Sequence, residues 1–170
     1  MPNWCDTDLI IEGPISDVDE ILDAYVNVEE GTLDFDKVIP YPRKYKALDA
    51  AAEQYMKDHP NDWTNRPADG FNQGGYDWCV ENWGTKWNAH SGRGVTYMRT
   101  TKNKRKIKLM FETAWSPASP VFARLAQMYP DVQITARSYE RGMGYKYVEK
   151  YENGVETHSE ETDYRGGRGG

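Results

Sequence analysis

Cysteine and histidine are scarce in this 170-residue chain, which holds two of the first and three of the second. Cys5, Cys79, His59, His90 and His158 show no C-x-x-C or H-x-x-x-H spacing, so no local metal site is expected and no cofactor is implied. Long apolar runs are also missing. No stretch approaches the ~20 residues a spanning helix needs, and the mean hydropathy is −0.86, so no membrane partner is expected. The first residues, Met1-Pro2-Asn3-Trp4-Cys5-Asp6, carry neither a basic cluster nor an apolar core, so no signal peptide is read there. The two cysteines are therefore expected to be reduced thiols of a cytoplasmic protein. Positive charge is in deficit, with 21 Lys and Arg against 27 Asp and Glu and a net charge of −6. That balance argues against a general nucleic-acid coat and leaves room for a local basic site.

What the chain has in plenty is aromatic side chains, 13 % of the total, with six Trp and twelve Tyr. Such a load serves packing or furnishes a stacking surface.

The pattern along the chain predicts a mixed α+β fold. A strand at Leu9-Ile10-Ile11 ends at Gly13-Pro14. A helix capped by Ser16 follows, with Val18, Ile21, Leu22 and Tyr25 on one face. Residues 33–42 contain two prolines and read as an extended edge or covering segment. A helix is expected from Ala47 to His59, buried through Leu48, Ala51, Ala52 and Tyr55, then a polar loop over 60–75. A short helix from Asp77 to Trp83 ends at Gly84. A hairpin pairs 95–100 with 106–113 around Lys102-Asn103-Lys104. A helix capped by Ser119 buries Val121, Phe122, Leu125, Met128 and Tyr129, and a strand follows at 132–137. A last hairpin, 145–152 with 155–160, turns at Asn153-Gly154, a type I′ signature. With about 30–75 set aside as an insertion, the order is that of a ferredoxin-like split βαβ: an antiparallel sheet with helices on one face, plus an extra C-terminal β-hairpin. One domain over 1–161 and a disordered Gly/Arg tail over 162–170 are expected.

Three motifs stand out: Met1-Pro2-Asn3-Trp4-Cys5, Asn82-Trp83-Gly84-Thr85-Lys86-Trp87-Asn88-Ala89, and Phe111-Glu112-Thr113-Ala114-Trp115-Ser116-Pro117 with Pro120-Val121. Together with Phe35-Asp36-Lys37-Val38-Ile39-Pro40 they resemble the YubB-type ferredoxin-like family of phage, plasmid and integrative-element proteins over roughly residues 1–145. Thr7 departs from the family pattern, which usually has Asn two residues after the Cys. The resemblance implies a ferredoxin-like core, a mobile-element gene and a bacterial host cytoplasm, and it implies no chemistry.

Candidate ligand-binding residues are Trp4, Asn82, Trp83, Thr85, Lys86, Trp87, Asn88 and Trp115, because rings stack bases, amides read their edges and Lys meets phosphate. The competing reading of these residues is loop packing. Candidate nucleic-acid contacts are Lys102, Lys104, Arg105 and Lys106 at the hairpin tip, with Arg165 and Arg168 in the tail. The solvated-surface reading competes there, since Lys at a hairpin end also discourages edge pairing. The functional expectation is a non-catalytic binding protein for a nucleotide-like ligand, single-stranded nucleic acid or a host protein, with counter-defence as its context. Two alternatives stand beside it. One is a small enzyme using an N-terminal Pro2, or Cys5 with His90. The other is a self-associating structural protein using Tyr145, Tyr147 and Tyr151.

Overall fold

A computed structural model describes residues 3–166. The first strand, β1 (Trp4–Pro14), is much longer than its apolar trio, because alternation continues on both sides of it. Cys5, Thr7, Leu9 and Ile11 are fully buried, while Asp6 and Ile10 are part-exposed. α1 (Ile15–Tyr25) follows directly and buries Val18, Ile21 and Leu22. Ser16 does not cap it. The strand runs up to Pro14, which occupies the cap position without a side-chain bond, and Ser16 Oγ donates to Asp17 Oδ1 at 2.9 Å instead.

β2 (Val26–Asn27) and β3 (Thr32–Leu33) form a small hairpin. The segment expected to be extended then makes one helical turn, α2 (Phe35–Val38). Asp34 nucleates it by accepting from the Asp36 N–H at 3.1 Å, and Phe35 and Val38 enter the core. α3 (Arg43–Asp58) starts four residues before the expected Ala47 and buries Ala52 alone. Leu48 is 41 % exposed, so the expected stripe does not become a core face. The helix packs on a 3-10 turn at Phe71–Gln73, which offers it little apolar surface.

α4 (Gly75–Trp83) ends on Gly84, whose φ of +78° is the left-handed cap a glycine tolerates best. Then come β4 (Val95–Thr100), β5 (Lys104–Ala114), α5 (Ser119–Met128), β6 (Gln133–Glu140), β7 (Tyr145–Glu152) and β8 (Val155–Asp163). Ala118, not Ser119, takes the cap position of α5, with Pro120 in its first turn, and Met128 stays only part-buried. Asn153 and Gly154 both have positive φ, as a type I′ turn requires.

The large sheet is antiparallel throughout, in the order β4-β5-β1-β6-β7-β8. β5 lies between β1 and β4, and β1 lies between β5 and β6, which is the split βαβ arrangement. α1 and α5 cover the face that carries Leu9, Ile11, Ile107, Leu109, Phe111, Ile134 and Ala136. Each such Leu, Ile or Phe side chain, fully buried, contributes about 1.5–3 kcal/mol. By strand alternation the opposite face carries Asp6, Asp8, Ile10, Lys108, Met110, Glu112, Arg137, Tyr139, Lys146 and Lys150. Among the described residues no helix is long and apolar enough to cross a membrane.

Candidate functional site

The second and third sequence motifs meet where β5 leaves the sheet. Thr85 Oγ1 donates to the Ala114 carbonyl at 2.8 Å, and Ser116 Oγ donates to the Gly84 carbonyl at 2.6 Å. Thr113 Oγ1 closes the turn onto the Ser116 carbonyl at 2.7 Å. A Cβ at Gly84 would lie 2.9 Å from the Pro117 carbonyl oxygen, so the two loops touch at backbone level. The first motif joins them through the Trp115 N–H, which donates to the Asn3 carbonyl at 2.9 Å.

This clasp fixes part of the candidate set as internal scaffolding. Trp83 is 5 % exposed, and its Nε1–H donates to the Ile39 carbonyl at 2.9 Å. Asn82 Nδ2 donates to the Trp78 carbonyl at 2.9 Å, within α4. Asn88 Oδ1 accepts from the Phe35 N–H at 2.8 Å, and its Nδ2 donates to Asp34 Oδ1 at 2.8 Å. Thr85 is buried in the clasp.

The remaining candidates face outward together. Lys86 Nζ lies 3.9 Å from the Trp87 ring centroid and 4.0 Å from that of Trp115, an ammonium held between two indoles. Trp4 tilts against Trp87 at 6.1 Å and stacks on His90 at 5.3 Å. Trp87 and Trp115 are 40 % and 44 % exposed. Trp115 adopts a φ of +73°, a left-handed conformation that a bulky side chain rarely takes.

Trp115 also walls a cleft of about 600 Å³ with Asn3, Ser116, Pro117, Met143, Tyr145, Tyr147 and Glu161. Tyr145 Oη donates to the Trp115 carbonyl at 3.0 Å and fixes that wall. Trp4, Trp87, Asn88, Ala89 and His90 line a smaller cleft of about 390 Å³. Lys86 stands between the two clefts. The tyrosine wall is, in the sequence, a self-association candidate and not a ligand-binding one. Its sequence signal was the alternation Tyr145, Tyr147, Tyr151, but Tyr151 turns into the core and is 2 % exposed.

The basic hairpin tip is largely self-neutralised. Arg105 pairs with Asp19, Lys106 with Glu12 at 2.9 Å and Lys108 with Asp8 at 2.9 Å. Lys102 and Lys104 are exposed at the turn. Arg165 is exposed just past β8, while Arg168 and Pro2 lie outside the described residues. Cys5 and His90 do not meet. Cys5 points to the helix-covered side, where burial pushes its thiol up to about 11 despite Tyr145 Oη at 3.8 Å, and His90 stacks on the other face. Burial likewise pushes Cys79 up to about 12. Among the described residues no group of three or more His, Cys, Asp and Glu is placed to hold a metal ion.

A family model described as the ferredoxin-like domain in Api92-like protein matches residues 82–167, half of the chain. This chain belongs to that family. The match takes in both clasp motifs beyond Asn82 and the whole C-terminal hairpin of the Api92-like domain. The crystal structure of protein api92 from Yersinia pseudotuberculosis superposes with a TM-score of 0.54 at 12 % identity, covering 98 % of this chain and 99 % of that one. At that identity the likeness speaks for the Api92-like fold alone. No curated protein matches the sequence.

Proposed function

We propose that this Api92-like chain is a non-catalytic binding protein whose ligand carries a nucleobase and a phosphate. The observation that carries the reading is Lys86 held between Trp87 and Trp115 at the border of two aromatic clefts. An indole face stacks any base, at about 1–3 kcal/mol per base, and the adjacent ammonium supplies a phosphate partner. Asn3, Ser116 and Glu161 offer polar atoms for a base edge within the larger cleft. The left-handed backbone at Trp115 supports the same reading, because strain of this kind persists where a side chain is needed in one place. The resemblance of the three motifs to YubB-type proteins favours a phage or other mobile-element setting, in which a ligand-capturing protein would serve counter-defence.

The Cys-based enzyme reading is disfavoured by the raised Cys5 thiol and its separation from His90. Self-association through the outer edge is disfavoured by β8 itself. It is exposed along its length and carries Glu156, Glu160, Glu161 and Asp163, which repel a second copy.

The test is a thermal-shift screen of nucleosides and nucleotides on the wild type and on Lys86→Met, which keeps the stem between the rings and removes the charge. A nucleotide at about 100 times its Kd stabilises the fold by ~2.7 kcal/mol. The expected result is a nucleotide shift that Lys86→Met weakens and a nucleoside shift that it leaves intact. No shift with any base-bearing compound would end this reading and leave a host protein as the partner to seek.

A further inference from the structure

The helix-free face of the sheet holds a groove of about 560 Å³ lined by Arg137, Tyr139, Lys146, Val148, Lys150, His158 and Glu160. Its charge runs against that of the whole chain. Three cations line it, and the one carboxylate, Glu160, sits 3.7 Å from His158 Nε2. On β1, Asp8 pairs with Lys108 and Glu12 with Lys106, while Asp6 lies next to Tyr139, a residue of the groove lining. The acidic surplus lies largely elsewhere, on α1 and on the helix-covered side of the outer edge strand, where Glu161 and Asp163 pair with Tyr147 and Tyr145.

A row of paired residues joins the groove to the separate aromatic cleft of Trp4, Trp87 and His90. Glu112 pairs with His90 on one side and with Asp6 on the other. Asp6 pairs with Tyr139, and Tyr139 with Lys146, so one row crosses the open face from His90 to Lys146. Trp4 stands two residues from Asp6 on this same face and stacks on His90. Same-face neighbours on a strand are about 7 Å apart, so Lys146 and Lys150 spread their charges over about 13 Å. That exceeds what one phosphate group can occupy.

We propose that the ligand of the tryptophan site is a single strand of nucleic acid, with unpaired bases against Trp4 and Trp87 and a backbone that crosses the open sheet over Arg137, Lys146 and Lys150. This rests on the base-binding reading above and extends it from a mononucleotide to a polymer. A single strand is required because a duplex withholds its base faces from the rings.

The experiment is a fluorescence-anisotropy titration of a labelled oligothymidylate of about ten nucleotides, with wild type and with the double variant Arg137→Gln/Lys150→Gln. Three phosphate contacts on a single strand predict about a 20-fold loss of affinity between about 50 and 200 mM salt. One remaining contact predicts about a 3-fold loss for the double variant. Circular dichroism checks that the variant folds, and both changed residues are exposed. Equal salt dependence in the two proteins overturns the path. Equal binding of a duplex of the same length overturns the single-strand assignment. Mononucleotide binding without oligonucleotide binding overturns the polymer and spares the base site, whereas loss of both removes both readings.

Discussion

Trp115 offers a test in which the usual order of two substitutions reverses. Its φ of +73° places the backbone in the left-handed region. The conformation is held by its N–H on Asn3 and its carbonyl under Tyr145. A residue with a Cβ costs about 1–2 kcal/mol there, whereas glycine adopts it freely and loses about 0.5–1 kcal/mol of chain entropy on folding. Replacing Trp115 by Ala or by Gly removes the same ring. A buried Trp covers roughly 150–250 Å², and this one is 44 % exposed. Either change therefore forfeits roughly 100 Å² of apolar contact, about 2.5 kcal/mol. The difference between the two is backbone alone, and it favours Gly by about 0.5–1 kcal/mol. Urea unfolding followed by far-UV circular dichroism reads this directly, with equal m-values as the control. Ala as stable as Gly, or more so, would refute the left-handed assignment and the argument from strain.

Neither Cys5 nor Cys79 should react with a disulfide reagent in the folded protein at neutral pH, since burial raises both thiols, and both should react in denaturant. One fast thiol in the native state would revive a cysteine chemistry. Glu149 is buried, accepts from Tyr151 Oη at 2.8 Å through Oε1, and leaves Oε2 without a partner. Burial raises its carboxyl above the ordinary 4.5. The folded state then keeps the proton longer, so stability is full below that ordinary value and falls as pH rises through the raised one. Glu149→Gln removes this dependence, and its melting temperature should gain on the wild type as pH rises above that ordinary value; a constant gap would contradict the assignment. Thr85→Val breaks the buried bond to the Ala114 carbonyl and should cost about 1–3 kcal/mol, while a neutral result in urea unfolding would mean the two loops do not depend on the clasp.

The βαββαβ order was readable because each element carries a local signal. Ile107, Leu109 and Phe111 alternate, Val121, Phe122 and Leu125 share a helical stripe, and Asn153-Gly154 allows few other turns. The inserted segment was less legible. Phe35-Asp36-Lys37-Val38 looks extended beside two prolines, yet a side-chain bond from Asp34 is enough to wind one turn. The stripe on α3 is a true periodicity with no large apolar surface opposite it. In the site, chemistry-bearing residue types did not separate scaffold from surface. Asn82, Thr85 and Asn88 spend their polar atoms on nearby backbone and on Asp34, and Trp83 on Ile39, bonds that no spacing reveals. The groove on the open face was invisible because Arg137, Lys146 and Lys150 are brought together by strand pairing, not by adjacency.

The six indole N–H groups give the most direct test of where a ligand sits. In a nitrogen–proton correlation spectrum titrated with a nucleotide, the signals of Trp115 and Trp87 should move. Those of Trp83, which is buried, and of Trp63, which is 69 % exposed but outside the clasp, should stay. Movement of Trp63 alone, or no movement at saturating nucleotide, would contradict a base site at the tryptophan clasp.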